Sequence, residues 1–136
     1  MQLFKVGDTV EVNVLNPESE SGQPIVSLRR YLGNLAWDQW PKDAIRHYEA
    51  GFQIGELSLG QDFQGVLPWG WIDNRPFLRC MYGFGLCLWR LDHFEESARI
   101  FDRMLRLNPS DNQGVRFLID DVRAKVTWQN SMGKEP

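Results

Sequence analysis

Two amphipathic stretches separated only by Asp92 and His93 constrain this chain more than any other feature. Pro76 to Leu91 places Phe77, Cys80, Met81, Phe84, Leu88 and Leu91 at spacings of three and four. Phe94 to Leu107 does the same with Phe94, Ala98, Phe101 and Met104 or Leu105. Apolar residues at that period form one face of a helix. Two helices joined by so short a connection must run antiparallel, with their apolar faces together. Asn108-Pro109 ends the second, because proline disfavours helix in the residue before it.

The helical period extends to either side of this pair. Lys42 to Leu57 sets Ala44, Ile45, Tyr48, Phe52 and Leu57 near one stripe, with Pro41 where a first-turn proline is tolerated. Asn112 to Val126 predicts a fourth, capping helix with Val115, Leu118, Ile119, Val122 and Val126 inward and Ser110 or Asp111 as its N-cap. Before residue 36 the period is two. Thr9 to Val14 alternates polar and apolar, Asn16 to Gly22 is turn-rich, and Pro24 to Leu28 reads as a returning strand. The expected fold is therefore mainly α: about four helices in helix-turn-helix repeats, preceded by an N-terminal β-hairpin over 1–36. The helical domain spans 37–127 with a Trp-rich insertion at 58–76, and 128–136 reads as a disordered tail.

Composition narrows the function classes. The 136 residues carry 15 Lys and Arg against 18 Asp and Glu, a net charge of −3. That argues against a chain whose main task is to coat nucleic acid, which needs a clustered basic surface. The longest apolar-leaning stretch, Phe77 to Leu91, is too short for a bilayer and is interrupted by Arg79 and Arg90, so no membrane partner is expected. Met1 to Asp8 lacks the basic and apolar regions of an export signal. Cys80 and Cys87 fall two helical turns apart, too far for a disulfide. They read as buried free thiols in a reducing cytoplasm.

Residues Leu78 to Asp111 resemble a tetratricopeptide repeat. Gly85 takes the small position where paired helices touch, with Phe84 and Leu88 beside it, and Ser97, Phe101 and Pro109 take the small, aromatic and terminating positions of that pattern. Glu96 and Leu105 also agree, whereas Met81 and Met104 depart from it. The same ruler makes Ala44 to Ile54 the second helix of a preceding repeat, whose partner would lie in about 27–39 and overlap the hairpin's end. This resemblance implies a superhelical stack that binds a peptide or protein in its concave groove.

A second resemblance covers about residues 4–38. Val6-Gly7-Asp8-Thr9-Val10-Glu11-Val12-Asn13-Val14-Leu15 and Ile25-Val26-Ser27-Leu28-Arg29-Arg30 look like the last strands of a ribosomal S-one-type RNA-binding OB domain. It implies an RNA contact through Lys5, Arg29 and Arg30. The segment lacks the stacking aromatics of that family's first three strands, and its five acids outnumber its three bases. The hairpin is accordingly read as structural.

The insertion gathers Phe63, Val66, Leu67, Pro68, Trp69, Trp71 and Ile72, a composition no solvated linker has. One of Trp69 and Trp71 is expected to face the core and the other the rim, with Trp71 chosen for the core. Trp37 and Trp40 are expected to pack between the hairpin and the first helix. Catalytic signatures do not emerge. Gly83-Phe84-Gly85 has no adjacent lysine, Glu95-Glu96 and Asp120-Asp121 splay apart on helices, and His47 and His93 read as structural. The expectation is a non-enzymatic interaction module with no metal and no cofactor. It binds a protein or peptide, or self-associates, and Leu67, Trp69, Trp71 and Trp89 are its contact residues. The alternative is an RNA- or ribosome-associated factor using Lys5, Arg29 and Arg30.

Overall fold

The computed structural model describes residues 22–37 and 41–132. Over them the chain forms α1 (Gly22–Ala36), α2 (Pro41–Leu59), α3 (Arg75–Arg90), α4 (Phe94–Leu107), α5 (Ile119–Arg123) and α6 (Trp128–Ser131), with 3-10 turns at Ile72–Asn74 and Val115–Phe117. Helices α1 and α2 form one hairpin and α3 and α4 a second. Helix α2 packs on both α1 and α3, and α3 reaches across to α1. This is a helical-repeat arrangement of two stacked hairpins. Among the described residues no helix is long and apolar enough to cross a membrane.

The α3–α4 hairpin follows the predicted boundaries to within a residue, and its turn explains why two residues suffice. Asp92 adopts a left-handed backbone, φ 62°. The His93 amide then bonds to the Leu88 carbonyl at 2.8 Å and the Asp92 amide to the Trp89 carbonyl at 3.0 Å. These are the paired bonds of a Schellman motif, which satisfy the last carbonyls of a helix while reversing the chain. Lys125, φ 59°, repeats the motif after α5, with the Val126 amide on Asp121 and the Lys125 amide on Val122.

Close helix approach depends on missing side chains. A Cβ on Gly85 would strike the Phe101 ring of α4, one on Gly51 the Cys80 thiol, and one on Gly55 the Phe77 ring. Tyr48 of α2 lies where side chains on Gly33 of α1 and Gly83 of α3 would otherwise stand. Its hydroxyl donates to Asn34 Oδ1 at 2.5 Å. The main core runs from Leu59, Phe63 and Leu67 through Phe77, Met81 and Trp89 to Phe101, Leu107, Val115 and Val122.

Three expectations are corrected. Residues 24–28 are not a returning strand but part of α1, which supplies the partner helix that α2 requires; the expected strand Thr9–Val14 lies outside the described residues. The β-branched run misled because α1 buries Val26 and turns Ile25, Leu28 and Tyr31 to the surface. The fourth helix is broken. Asp111 (φ 51°) and Gly114 (φ 76°) take left-handed conformations, and the Asp111 carboxylate accepts from the Val115 and Arg116 amides at 2.8 and 2.9 Å. Asp111 thus caps a 3-10 turn, and only Ile119–Arg123 continues as α-helix. Finally, residues 128–131 are helical and not a disordered tail, with Thr127 Oγ1 accepting from the Asn130 amide as N-cap.

Candidate functional site

A groove of about 410 Å³ lies between the first helices of the two hairpins. Arg30 and Asn34 of α1 form one wall, and Arg79, Tyr82, Gly83 and Leu86 of α3 the other. The latter recur at spacings of three and four, so one face of α3 presents them together. Tyr48 forms the floor, and Trp37, Trp69 and Gln113 close the margins. Gln113 is fixed by donating from Nε2 to the Leu78 carbonyl at 3.3 Å.

The insertion positions Trp69. Buried Asn74 donates from Nδ2 to the Pro68 carbonyl at 3.2 Å, and the Leu67 amide bonds to the Leu107 carbonyl at 2.6 Å. Arg75 Nε donates to the Trp69 carbonyl at 2.7 Å. The guanidinium carbons of Arg75 and Arg79 then stand 4.9 and 5.1 Å from the Trp69 ring centroid, within cation–π range. At the far margin Arg90 lies 4.5 Å from the Trp37 centroid and donates to the Trp37 carbonyl at 2.8 Å.

The groove's charge is one-sided. Among the described residues, none that lines it is acidic. Burial, then the neighbouring charges of Arg30 and Arg75, lower the pKa of Arg79. The Tyr82 hydroxyl is pushed up by burial and by Asp111. The Asp111 carboxylate is itself committed to Arg116, 3.1 Å away, and to two backbone amides.

The residues expected to meet a partner are divided by the structure. Trp69 reaches the groove while packing on the core. Trp71 is 44% exposed, so the core assignment between these two rings is reversed. Leu67 and Trp89 are fully buried and cannot touch a partner. Leu67 is drawn in by its backbone bond to Leu107. Trp89 is covered because its Nε1 donates to the Val126 carbonyl at 2.8 Å and Trp128 packs edge-on against it, centroids 5.2 Å apart. Of the residues expected to contact RNA, Arg30 lines the groove, Arg29 is engaged with His47 Nδ1 at 3.0 Å, and Lys5 lies outside the described residues. Trp40 lies outside them too.

Sequence reasoning missed Asn34, Arg79, Tyr82, Leu86 and Gln113 as groove residues. The spacing on α3 is a usable signal for three of them, but the opposite wall, α1, begins in residues 24–28, which read as a strand. A second hollow of about 440 Å³ lies against the C-terminal half of α2, where Leu57 is exposed beside Phe52 and Glu56. Glu56 there pairs with Arg103 at 3.2 Å. Among the described residues no three His, Cys, Asp or Glu side chains are grouped as a metal site would require. Compared with known proteins, the chain matches no family model, no curated protein and no solved structure.

Proposed function

We propose that this chain is a non-enzymatic interaction module of the helical-repeat kind, which binds an extended peptide segment in the groove between α1 and α3. The observation that carries this reading is that one concave surface is shared by the first helices of two stacked hairpins and bordered by a half-buried tryptophan. Such a surface offers what peptide recognition uses: an apolar floor, a few fixed polar groups and an aromatic anchor. The tetratricopeptide-like positions of Gly85, Ser97 and Phe101 favour the same reading. The RNA-associated alternative draws less support. Arg29 is occupied by His47, and the Trp69 and Trp37 rings already carry guanidinium groups where nucleobases would need to stack.

A random-peptide display library, selected on the wild-type chain and counter-selected on Leu86→Glu, tests this reading. Enriched peptides should bind the wild-type chain at least about tenfold more tightly than a Leu86→Glu variant of unchanged melting temperature, since a groove-wall side chain contributes at hot-spot scale. Enrichment no greater than on Leu86→Glu defeats the groove as a binding site.

A further inference from the structure

We infer that the groove between α1 and α3 is selective for acidic peptide segments, with the guanidinium groups of Arg30 and Arg79 receiving Asp or Glu carboxylates beside the Trp69 ring. This rests on the groove reading above and names the chemistry of its occupant.

Three observations carry it. First, Arg30 and Arg79 line opposite walls of a groove that, among the described residues, has no acidic lining residue. Arg75 adds a third cation beside them, against Trp69. Among the described residues the ion pairs are made by Arg103, Arg106, Arg116, Arg123 and His93, and none by these three arginines. Unpaired like charges gathered in a partly desolvated cleft repel one another, and a bound carboxylate relieves that repulsion.

Second, carboxylates are engaged by arginines outside the groove: Arg106 meets Asp102 at 2.7 Å and Arg103 meets Glu56 at 3.2 Å. The chain as a whole has a net charge of −3. A cationic cleft on an acidic protein steers an anionic segment to that cleft and not to the remaining surface.

Third, the aromatic surroundings favour a peptide over a nucleic acid. Single-stranded nucleic acid binds by stacking bases on open aromatic faces along a basic track. Here the Trp69 ring is engaged by two guanidinium groups. Those contacts hold Arg75 and Arg79 in place, so less side-chain freedom is lost when a carboxylate docks in the fork geometry an arginine offers. The half-buried Leu86 and the Tyr48 floor then take an apolar neighbour of that carboxylate.

Fluorescence anisotropy on the full chain, with a labelled peptide alternating Glu and Leu and its counterpart alternating Gln and Leu, tests the inference. The Glu peptide should bind at least about tenfold more tightly at low ionic strength, and the ratio should fall toward one in about 0.5 M salt. The double variant Arg30→Gln/Arg79→Gln should abolish the preference, and Arg30→Lys/Arg79→Lys should retain most of it. Melting temperatures of both variants separate loss of charge from loss of fold. Equal binding of the two peptides overturns the acid preference; if that binding is lost in Leu86→Glu, the groove reading survives. No binding of the Glu peptide overturns the inference, and the display selection then judges the groove alone. Tighter binding of single-stranded oligouridylate than of the Glu peptide overturns it in favour of a nucleic acid.

Discussion

Ser97 Oγ donates to the Gly85 carbonyl at 2.8 Å across the α3–α4 contact, at the point where the Phe101 ring fills the space a Gly85 side chain would need. All three residues are buried. The helices are thus held at a spacing that tolerates no Cβ on one side and requires a small hydroxyl on the other. Gly85→Leu should lower stability by about 1–3 kcal/mol or more, because the Phe101 ring is packed and has no free volume to enter. Ser97→Ala should cost about 1 kcal/mol, the net value of a single hydrogen bond, since the Gly85 carbonyl keeps its helical partner. An unshifted melting temperature for Gly85→Leu would contradict the packing described.

Cys80 and Cys87 are fully buried, and burial raises both thiols to about 12. Cys80 also donates to the Val26 carbonyl at 3.6 Å, tying α3 to α1. The thiolate is the reactive form. At mildly alkaline pH in native buffer, neither thiol should react with a maleimide, and both should react once the chain is denatured. Native labelling of Cys80 faster than that of Cys87 would point to α1 opening away from α3, because Val26 of α1 covers only the former.

His47 should make the stability of the α1–α2 hairpin sensitive to pH. Its Nδ1 faces Arg29 Nη1 at 3.0 Å and accepts from it, which requires a neutral ring. Burial, Arg29 and Arg46 lower its pKa below 6.5, and Asp43 opposes them only in part. A histidine depressed on folding binds protons more readily in the unfolded chain. Its stabilising share is therefore present above pH 6.5 and is lost as pH falls through that value toward the folded pKa. The melting temperature should drop on acidification through this window more steeply for the wild-type chain than for His47→Gln. A His47 resonance titrating at or above 6.5 would refute the arrangement.

How legible this architecture was depends on where apolar residues point. The α3–α4 pair could be read because its stripe is uninterrupted and its turn leaves no room for another topology. Helix α1 could be read only in part, as a partner helix at about 27–39 implied by the repeat resemblance, because Ile25, Leu28 and Tyr31 face outward while Val26 is buried, so the apolar residues do not report the core. The groove went unseen with it, since Arg30 and Asn34 form half of its wall. Trp89 sat on the face that a repeat leaves open, and only the fold of residues 126–128 over it decided its burial. The break in the fourth helix depends on Asp111 adopting a positive φ to cap Val115 and Arg116. An N-cap was foreseeable there, but the shortness of what followed was not.

The insertion's two tryptophans should separate in their effects. Trp69 is half-buried, packs on the main core and carries Arg75 and Arg79 against its ring. Trp69→Ala should destabilise by about 2–3 kcal/mol, somewhat less than a fully buried ring. Trp71 is exposed, and its alanine variant should stay within about 0.5 kcal/mol. Equal losses in chemical denaturation would mean that the loop does not hold the two rings on opposite sides.

Trp128 ties the end of the described chain to both hairpins. Its ring meets Trp89 edge-on at 5.2 Å and Trp37 edge-on at 5.8 Å, and Arg90 lies 4.5 Å from the Trp37 centroid and 5.8 Å from that of Trp128. Trp37 follows α1 and Trp89 lies on α3, so the Trp128 side chain bridges two elements that Arg90 also links through the Trp37 carbonyl. Each aromatic pair contributes about 0.5–1.5 kcal/mol beyond its buried area. A double-mutant cycle of Trp37→Ala and Trp128→Ala should therefore return a coupling energy of about 0.5–1.5 kcal/mol. Trp89→Phe, which keeps a ring but leaves the Val126 carbonyl without its donor, should cost about 1 kcal/mol or more. A coupling energy of zero would show that the C-terminal helix rests on α3 alone and does not clasp the α1 end.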